Sequence, residues 1–380
     1  MADRGKKIMI VAGEASGDMY GAMLAREIRE LAPDSSFLGM GGAGMRAAGV
    51  KTVIDANDMA VVGLVEVVAH FPVILNAFTA LKRIIRTEPP DLVVFIDYPD
   101  FNLRLAKVAK RAGVKVLYFI SPQVWAWRAG RVRKIARLVD HMAVLFPFEV
   151  PYYEKEAVPV TFVGHPLLDM VRPEMTRDEA FARFRLDPAK KTVGLFPGSR
   201  RSEIKTLFPV ILEAAQLLTK DFPGIQFILP LASSLRDEDI RSQIVAAGLE
   251  ITVVAGRTHD VIQVCDAIIT VSGTVTMEIA LIGIPMAIIY RVSPLTYAVG
   301  KHLIKVDHIG ICNIVAGERV VKELIQDDAE PGKIAAEITA ILTDPVYAAA
   351  IRAKLATIEA KLGSGGALGR VARLALAMIS

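Results

Sequence analysis

Ile8-Met9-Ile10-Val11-Ala12-Gly13-Glu14-Ala15-Ser16-Gly17-Asp18 is the stretch that decides the fold class. Five apolar residues with no polar interruption read as a strand buried on both faces, which a parallel sheet requires. Glycines at 13 and 17 mark a tight turn, and beyond it Leu24, Ile28 and Leu31 recur at the spacing of one helix face. A strand that passes through a glycine turn straight into a helix is the first half of a βαβ unit.

Outward from this unit the alternation continues. Residues 92–96 and 115–120 read as further strands. Between them Asp100 is expected to N-cap a helix with Phe101, Leu105, Val108 and Ala112 inward, ended by Gly113. The pattern restarts beyond a linker near residues 164–173, with strands expected at 192–196, 226–230, 251–255, 267–271 and 286–290. From about residue 330 the chain reads as helical, with breaks at Asp344-Pro345 and 363–366. The expected class is α/β: two doubly wound, Rossmann-like domains facing across a cleft, over residues 1–168 and 169–345. C-terminal helices over 346–380 are expected to pack back on an N-terminal domain, their own or a partner's in a possible homodimer.

The bulk numbers agree with two domains. A chain of 380 residues, 53% hydrophobic and 23% charged, can bury two cores. Its mean hydropathy of +0.41 raises the question of a membrane. The richest apolar stretch, 61–85, is interrupted by Glu66, His70, Asn76, Lys82 and Arg83, whereas a spanning helix needs about 20 mostly apolar residues. Arg4, Lys6 and Lys7 ahead of residues 8–12 have the charge pattern of a secretion signal, but the apolar run is too short, and a cytoplasmic protein is expected. Cys265 and Cys312 lie far apart in apolar surroundings, which suggests neither a disulfide framework nor a zinc site. A formal charge of +4 points to no nucleic-acid partner.

Four loops carry the chemistry, two of them on the donor side. In the first, Glu14, Ser16 and Asp18 stand at a helix start, where amides attract an anion or sugar hydroxyls. Two acids disfavour phosphate there, so these residues are expected to contact a carbohydrate acceptor; a plain turn with Asp18 as cap is the alternative. The second is Asp97-Tyr98-Pro99-Asp100-Phe101-Asn102. A carboxylate at a strand's carboxyl end faces the ligand crevice, which suits Asp97 as a general base; a structural turn is the alternative. No histidine or third carboxylate accompanies it, so neither a metal nor a cofactor is expected.

The other two are on the donor side. In Phe196-Pro197-Gly198-Ser199-Arg200-Arg201-Ser202-Glu203, Gly198 lets backbone approach a ligand, Ser199 donates and Arg200 offers a fork suited to phosphate. The Walker ending is missing, and an exposed basic turn is the alternative. In Ser272-Gly273-Thr274-Val275-Thr276-Met277-Glu278, Ser272, Gly273 and Thr274 open a helix that can hold a diphosphate, and Glu278 can accept from both ribose hydroxyls. Thr274 as cap and Glu278 as surface acid remain the alternative. His165 lines the cleft or packs; Trp127, with Trp125, stacks on sugar or lipid or fills the core; Asn313 reaches the ligand from the end of an apolar run.

Val65, Val68, Phe71, Leu75 and Phe78 recur near helical spacing and are followed by Lys82, Arg83 and Arg86, with a second basic group at Arg128, Arg131, Arg133, Lys134 and Arg137. Apolar surface rimmed by cations fits contact with an anionic membrane and acyl chains. A helix that faces its own core is the alternative.

Taken together, GEASGD, AVVGLVE at 60–66, IDYPDFN, SPQVWAWR, GHPLLD, LFPGSRRSEI, the SGT…E helix and the stretch around Asn313 resemble the lipid-A-disaccharide synthases over nearly the whole chain. These are inverting glycosyltransferases of the GT-B fold class, in lipid A and lipopolysaccharide biosynthesis. The resemblance implies a reaction of UDP-2,3-diacylglucosamine with 2,3-diacylglucosamine 1-phosphate (lipid X). The products are a β-1,6-linked disaccharide 1-phosphate and UDP, formed by a metal-independent displacement. It further implies Asp97 as base for the acceptor 6-hydroxyl, Arg200 on the diphosphate, Glu278 on the ribose, Asn313 near the donor and residues 61–78 at the acyl chains. Peripheral association with the inner membrane goes with it. The competing readings are a UDP-N-acetylglucosamine 2-epimerase-like enzyme and a non-catalytic nucleotide-sugar or lipid-binding protein; the apolar first-domain segment argues against the epimerase.

Overall fold

The computed structural model describes residues 5–56, 71–122, 124, 130–232, 234–292, 297 and 307–380. By proximity of Cα atoms it divides into one unit of Met1–Pro166 with Leu362–Ser380 and a second of Leu167–Lys361.

The first unit is built on β1 (Lys7–Ala12), β2 (Ser36–Gly41), β3 (Lys51–Asp55), β4 (Leu92–Ile96), β5 (Lys115–Phe119), β6 (His141–Val144) and β7 (Val160–Phe162). Among the described residues these form one parallel sheet in the order β3-β2-β1-β4-β5-β6-β7. The continuous apolar runs of β1 and β4 occupy its centre, where residues 8–12 and 92–96 are essentially inaccessible to solvent. That is the cost-free place for a strand with no polar face. The helix Ala15–Leu31 buries Leu24 and Ile28, but Leu31, at its last residue, lies past the packed face and is exposed.

The helix after β4 begins two residues earlier than its acidic signal indicates. It runs Pro99–Arg111, with Tyr98 at the cap in a left-handed conformation, because proline's fixed φ suits the first helical position. Asp100 is therefore inside the first turn, where its Oδ1 accepts from Nη2 of Arg131 at 2.6 Å. Phe101, Leu105 and Ala109 face the core, Val108 is half-buried and Ala112 is exposed.

The second unit repeats the plan with β8 (Thr192–Phe196), β9 (Gln226–Leu231), β10 (Ile251–Ala255), β11 (Ala267–Val271), β12 (Met286–Tyr290) and β13 (Lys322–Ile325). Their order is β10-β9-β8-β11-β12-β13, again parallel. Both described sheets thus start in the middle, grow to one edge, and return to grow to the other. This is the doubly wound topology.

The tail divides differently from the expectation. Pro345–Lys361 stays with the second unit, burying Ala348, Ile351, Leu355 and Ile358, so the return to the first unit begins at Leu362. The last helix, Ala367–Ala377, then packs on Ala15–Leu31; Nε of Arg370 donates to the carbonyl of Val163 at 2.8 Å and Nζ of Lys6 to that of Ile379 at 3.0 Å. Among the described residues no single helix is long and apolar enough to cross a membrane.

Candidate functional site

Winding reverses between β1 and β4 in the first unit, and a crevice forms at such a switch point beside the strands' carboxyl ends. The loop after β1 brings Gly13 and Glu14 there; the end of β4 brings Asp97 and Tyr98. A Cβ on Gly13 would lie 2.6 Å from the Tyr98 ring, so only glycine admits the tyrosine. Asp97 and Tyr98 have φ of 46° and 47°, a conformation costing non-glycine residues on the order of 1–3 kcal/mol each. Hydrogen bonds hold it. Nδ2 of Asn102 donates to the carbonyls of Asp97 (2.7 Å) and Ile96 (3.3 Å), the Tyr118 hydroxyl donates to Asp97 O at 2.6 Å, and the Asp97 amide donates to Phe119 O at 3.1 Å.

The Asp97 side chain is consequently fixed in a half-buried position. Burial first, and the negative charge of Glu14 second, push its carboxyl up to about 6, against the lowering effect of the Tyr98 amide. A carboxyl poised there can take a proton near neutrality, which an ordinary aspartate does poorly.

The other first-unit expectations fare unevenly. Glu14 and Ser16 are exposed at the crevice loop. Asp18 serves the backbone: its Oδ1 accepts from the amides of Gly42 (2.6 Å) and Met45 (3.0 Å) and its Oδ2 from Gly44 (2.9 Å), tying the turn after β2. His165 is 4% exposed, its ring 5.4 Å from that of Phe146, and burial pulls it down to about 4, so it is a packed neutral histidine. Val65, Val68 and Trp127 lie outside the described residues, as does the side chain of Phe71. On the helix Phe71–Thr87, Val73 and Leu75 are 39% and 50% exposed, whereas Phe78 packs edge-on against Phe101 at 5.9 Å and belongs to the core.

In the second unit winding reverses between β8 and β11, and the loops after these strands enclose a cavity of about 350 Å³. Gly198, Ser199, Arg200, Ser272, Gly273, Thr274 and Glu278 all line it, joined by Glu203 and Thr258. Two sequence-distant loops thus converge on a space of the size that holds a small ligand. Gly198 has φ +102°, and a Cβ there would lie 2.2 Å from Oε2 of Glu203. That oxygen accepts from the amides of Ser199 (3.0 Å) and Arg200 (3.1 Å), while Oε1 receives Nη1 of Arg200 at 3.3 Å. Glu203 therefore shapes the loop, a role its position in the motif signals and that had not been assigned to it. Ser272 Oγ donates to the carbonyl of Ile309 at 3.2 Å, and Glu278 Oε2 is 3.0 Å from Nε2 of His259.

Asn313 is the clearest correction. It is fully buried, its Nδ2 donates to Val321 O (2.9 Å) and Glu323 Oε1 (2.8 Å), and its Oδ1 accepts from the amides of Val320 (2.9 Å) and Val321 (3.0 Å). Each amide hydrogen and acceptor site it has is used within the fold, so it does not reach the donor. With Glu323, which also accepts from the amides of Ile309 and Gly310 (both 2.9 Å), it braces the segment that Ser272 touches.

Residues 8–363 match the family model described as lipid-A-disaccharide synthetase. The lipid-A-disaccharide synthase of Geobacter metallireducens is 67% identical over 374 residues, covering 98% of this chain and 97% of that protein. The one from Geobacter sulfurreducens is 66% identical over 373 residues, with the same coverage. Among solved structures, a UDP-GlcNAc 2-epimerase from Neisseria meningitidis bound to UDP-GlcNAc superposes with a TM-score of 0.68 at 16% identity, covering 98% of this chain and 100% of that one. A calicheamicin glycosyltransferase does so with 0.64 at 15%, covering 99% and 98%. Likeness at such identity speaks for the fold alone.

Proposed function

Because the chain belongs to the lipid-A-disaccharide synthetase family, we propose that its two switch-point sites divide one glycosyl transfer between them, the second unit holding the nucleotide and Asp97 activating the acceptor. The enzyme is a hexosyltransferase that joins UDP-2,3-diacylglucosamine to 2,3-diacylglucosamine 1-phosphate and releases UDP. The observation that carries the division of labour is the convergence of the loops after β8 and β11 on one cavity.

In this reading Arg200 and the amides opening the helix Val275–Ile282 receive the diphosphate, and Glu278 accepts from the ribose. Asp97 takes the proton of the acceptor 6-hydroxyl as that oxygen attacks the anomeric carbon from the face opposite UDP. The bond to the diphosphate breaks with inversion, and its growing charge is met by the guanidinium and the helix end, so the scheme calls on no metal. Glu14 acts on Asp97 through charge, keeping the carboxyl basic enough to accept the proton.

Peripheral attachment to the inner membrane belongs to the same reading. Its support is the pair of exposed apolar residues, Val73 and Leu75, on a helix that ends in Lys82, Arg83 and Arg86.

UDP release from the diacylated donor, followed with and without the phosphorylated acceptor, tests the transfer. Acceptor-dependent release with a disaccharide product by mass spectrometry is expected. Tight donor binding without release would establish the binding-protein reading instead, and acceptor-independent release would favour the epimerase-like one.

A further inference from the structure

Glu278 does not stand alone at the cavity. Its Oε2 is 3.0 Å from Nε2 of His259, on the helix Thr258–Val264, whose first residue also lines the cavity. At this distance the two groups form an ion pair when the ring is protonated and only a neutral hydrogen bond when it is not. The pair is a quarter exposed on the histidine side and 21% on the glutamate side, so one face of the carboxylate remains open.

We propose that His259 is a positioning residue of the donor site: as an imidazolium it holds one oxygen of Glu278, leaves the other for the ribose hydroxyls, and so couples UDP affinity to its own protonation. The proposal rests on the reading of Glu278 as the ribose acceptor. A glutamate ordered before the ligand arrives spares binding the cost of ordering it. When the ring loses its charge, the ion pair falls to a neutral hydrogen bond, and the clamp on Glu278 weakens.

The charges around the ring favour the imidazolium. The hydrogen bond to Glu278 raises its pKa, burial opposes this, and the charge of Glu278, the Arg172 backbone and Asp260 add to the rise. Asp260 is itself engaged by the amides of Glu174 (2.8 Å) and Met175 (2.9 Å) and by Arg257 at 3.5 Å, and Arg257 also meets Glu174 at 3.0 Å. From the helix Arg177–Phe184, Arg177 directs Nε to the carbonyl of Gln263. The adjoining strands β8 and β9 carry no titratable side chain. The ring therefore titrates above the ordinary histidine value, and affinity is highest below that point and falls as pH rises through it.

The test is calorimetric binding of UDP to the full-length protein, its His259→Gln and His259→Ala variants and Glu278→Ala, from pH 6 to pH 8.5. Each pH is read as the ratio of variant to native protein, which cancels ionisation of the nucleotide. At pH 6 His259→Ala should bind about tenfold more weakly, the scale of one lost charge-assisted hydrogen bond. The ratio should shrink toward pH 8.5, and kcat at saturating donor should stay within about twofold of native. His259→Gln, which keeps a donor without charge, should bind between the two with the same flattened pH dependence. Adding His259→Ala to Glu278→Ala should cost nothing further. Native-like affinity of Glu278→Ala would remove the ribose reading itself. Weak binding by Glu278→Ala, with native affinity and pH dependence in both His259 variants, would overturn the role of His259 alone.

Discussion

The side-chain amide of Asn102 donates to the carbonyl of Asp97 at 2.7 Å, and so locks the candidate base in a left-handed backbone conformation at the end of β4. The bond reaches back from the first turn of the next helix, and Asn102 is fully buried where it is made. Removing it takes away one of the two side-chain donors of that carbonyl, which keeps the Tyr118 hydroxyl, and lets the strand end relax.

Asn102→Ala should therefore destabilise the protein by about 0.5–1.5 kcal/mol, the net contribution of a hydrogen bond whose acceptor keeps another donor. It should also lower kcat more than it raises KM for either substrate, because the base moves while the nucleotide cavity is untouched. Urea unfolding and steady-state rates check both. Full activity in a destabilised variant would detach the geometry of Asp97 from catalysis.

The raised carboxyl of Asp97 has a thermodynamic consequence. A carboxylate whose pKa is higher folded than unfolded binds its proton more tightly in the native state, so native stability falls as pH climbs from about 4 through about 6 and then levels off. Asp97→Asn removes that titration and keeps a residue tolerant of positive φ. Its melting temperature relative to the native protein should rise across this window and stay constant above it. A difference independent of pH would mean that the site does not perturb the carboxyl.

Gly198→Ala should weaken UDP binding at least as much as it lowers stability. Its new methyl would meet Glu203 Oε2 at 2.2 Å, the oxygen that holds the amides of Ser199 and Arg200, from a backbone with φ +102°. Native UDP affinity measured by calorimetry would show that the loop's shape does not matter to the nucleotide.

Two residues of one helix separate membrane contact from core packing. Leu75→Ser, at a half-exposed position, should leave the melting temperature within a degree or so and reduce flotation with anionic liposomes. Phe78→Ser, half-buried against Phe101, should cost about 1–3 kcal/mol, less than a fully buried ring would. Unchanged flotation of Leu75→Ser would count against the proposed attachment.

These contrasts show where the sequence was readable. Central strands such as residues 92–96, 192–196 and 267–271 announce themselves because burial on both faces demands predominantly apolar runs free of charge. The strands missed are short, broken in pattern or carry charges: SFLGMG at β2 holds two glycines, HMAV and VTF at β6 and β7 are too brief for a period to show, and KTVID and KELI at β3 and β13 include charged residues. Loops at the switch points were legible as sites because glycine, hydroxyl and charge cluster at strand ends. What residue type cannot reveal is which backbone groups the fold strands. Asp18 and Asn313 were read as ligand contacts, but each satisfies amides brought near only by the tertiary structure. Glu203 and His259 went unassigned for the same reason, since their partners become neighbours only when the loops fold.

The most direct measurement is the turnover of Asp97→Asn with both lipid substrates, set beside its affinity for UDP. Loss of kcat by about 10²–10⁴-fold with UDP affinity unchanged is the expected result, the scale of a missing general base. Turnover near the native rate would contradict it.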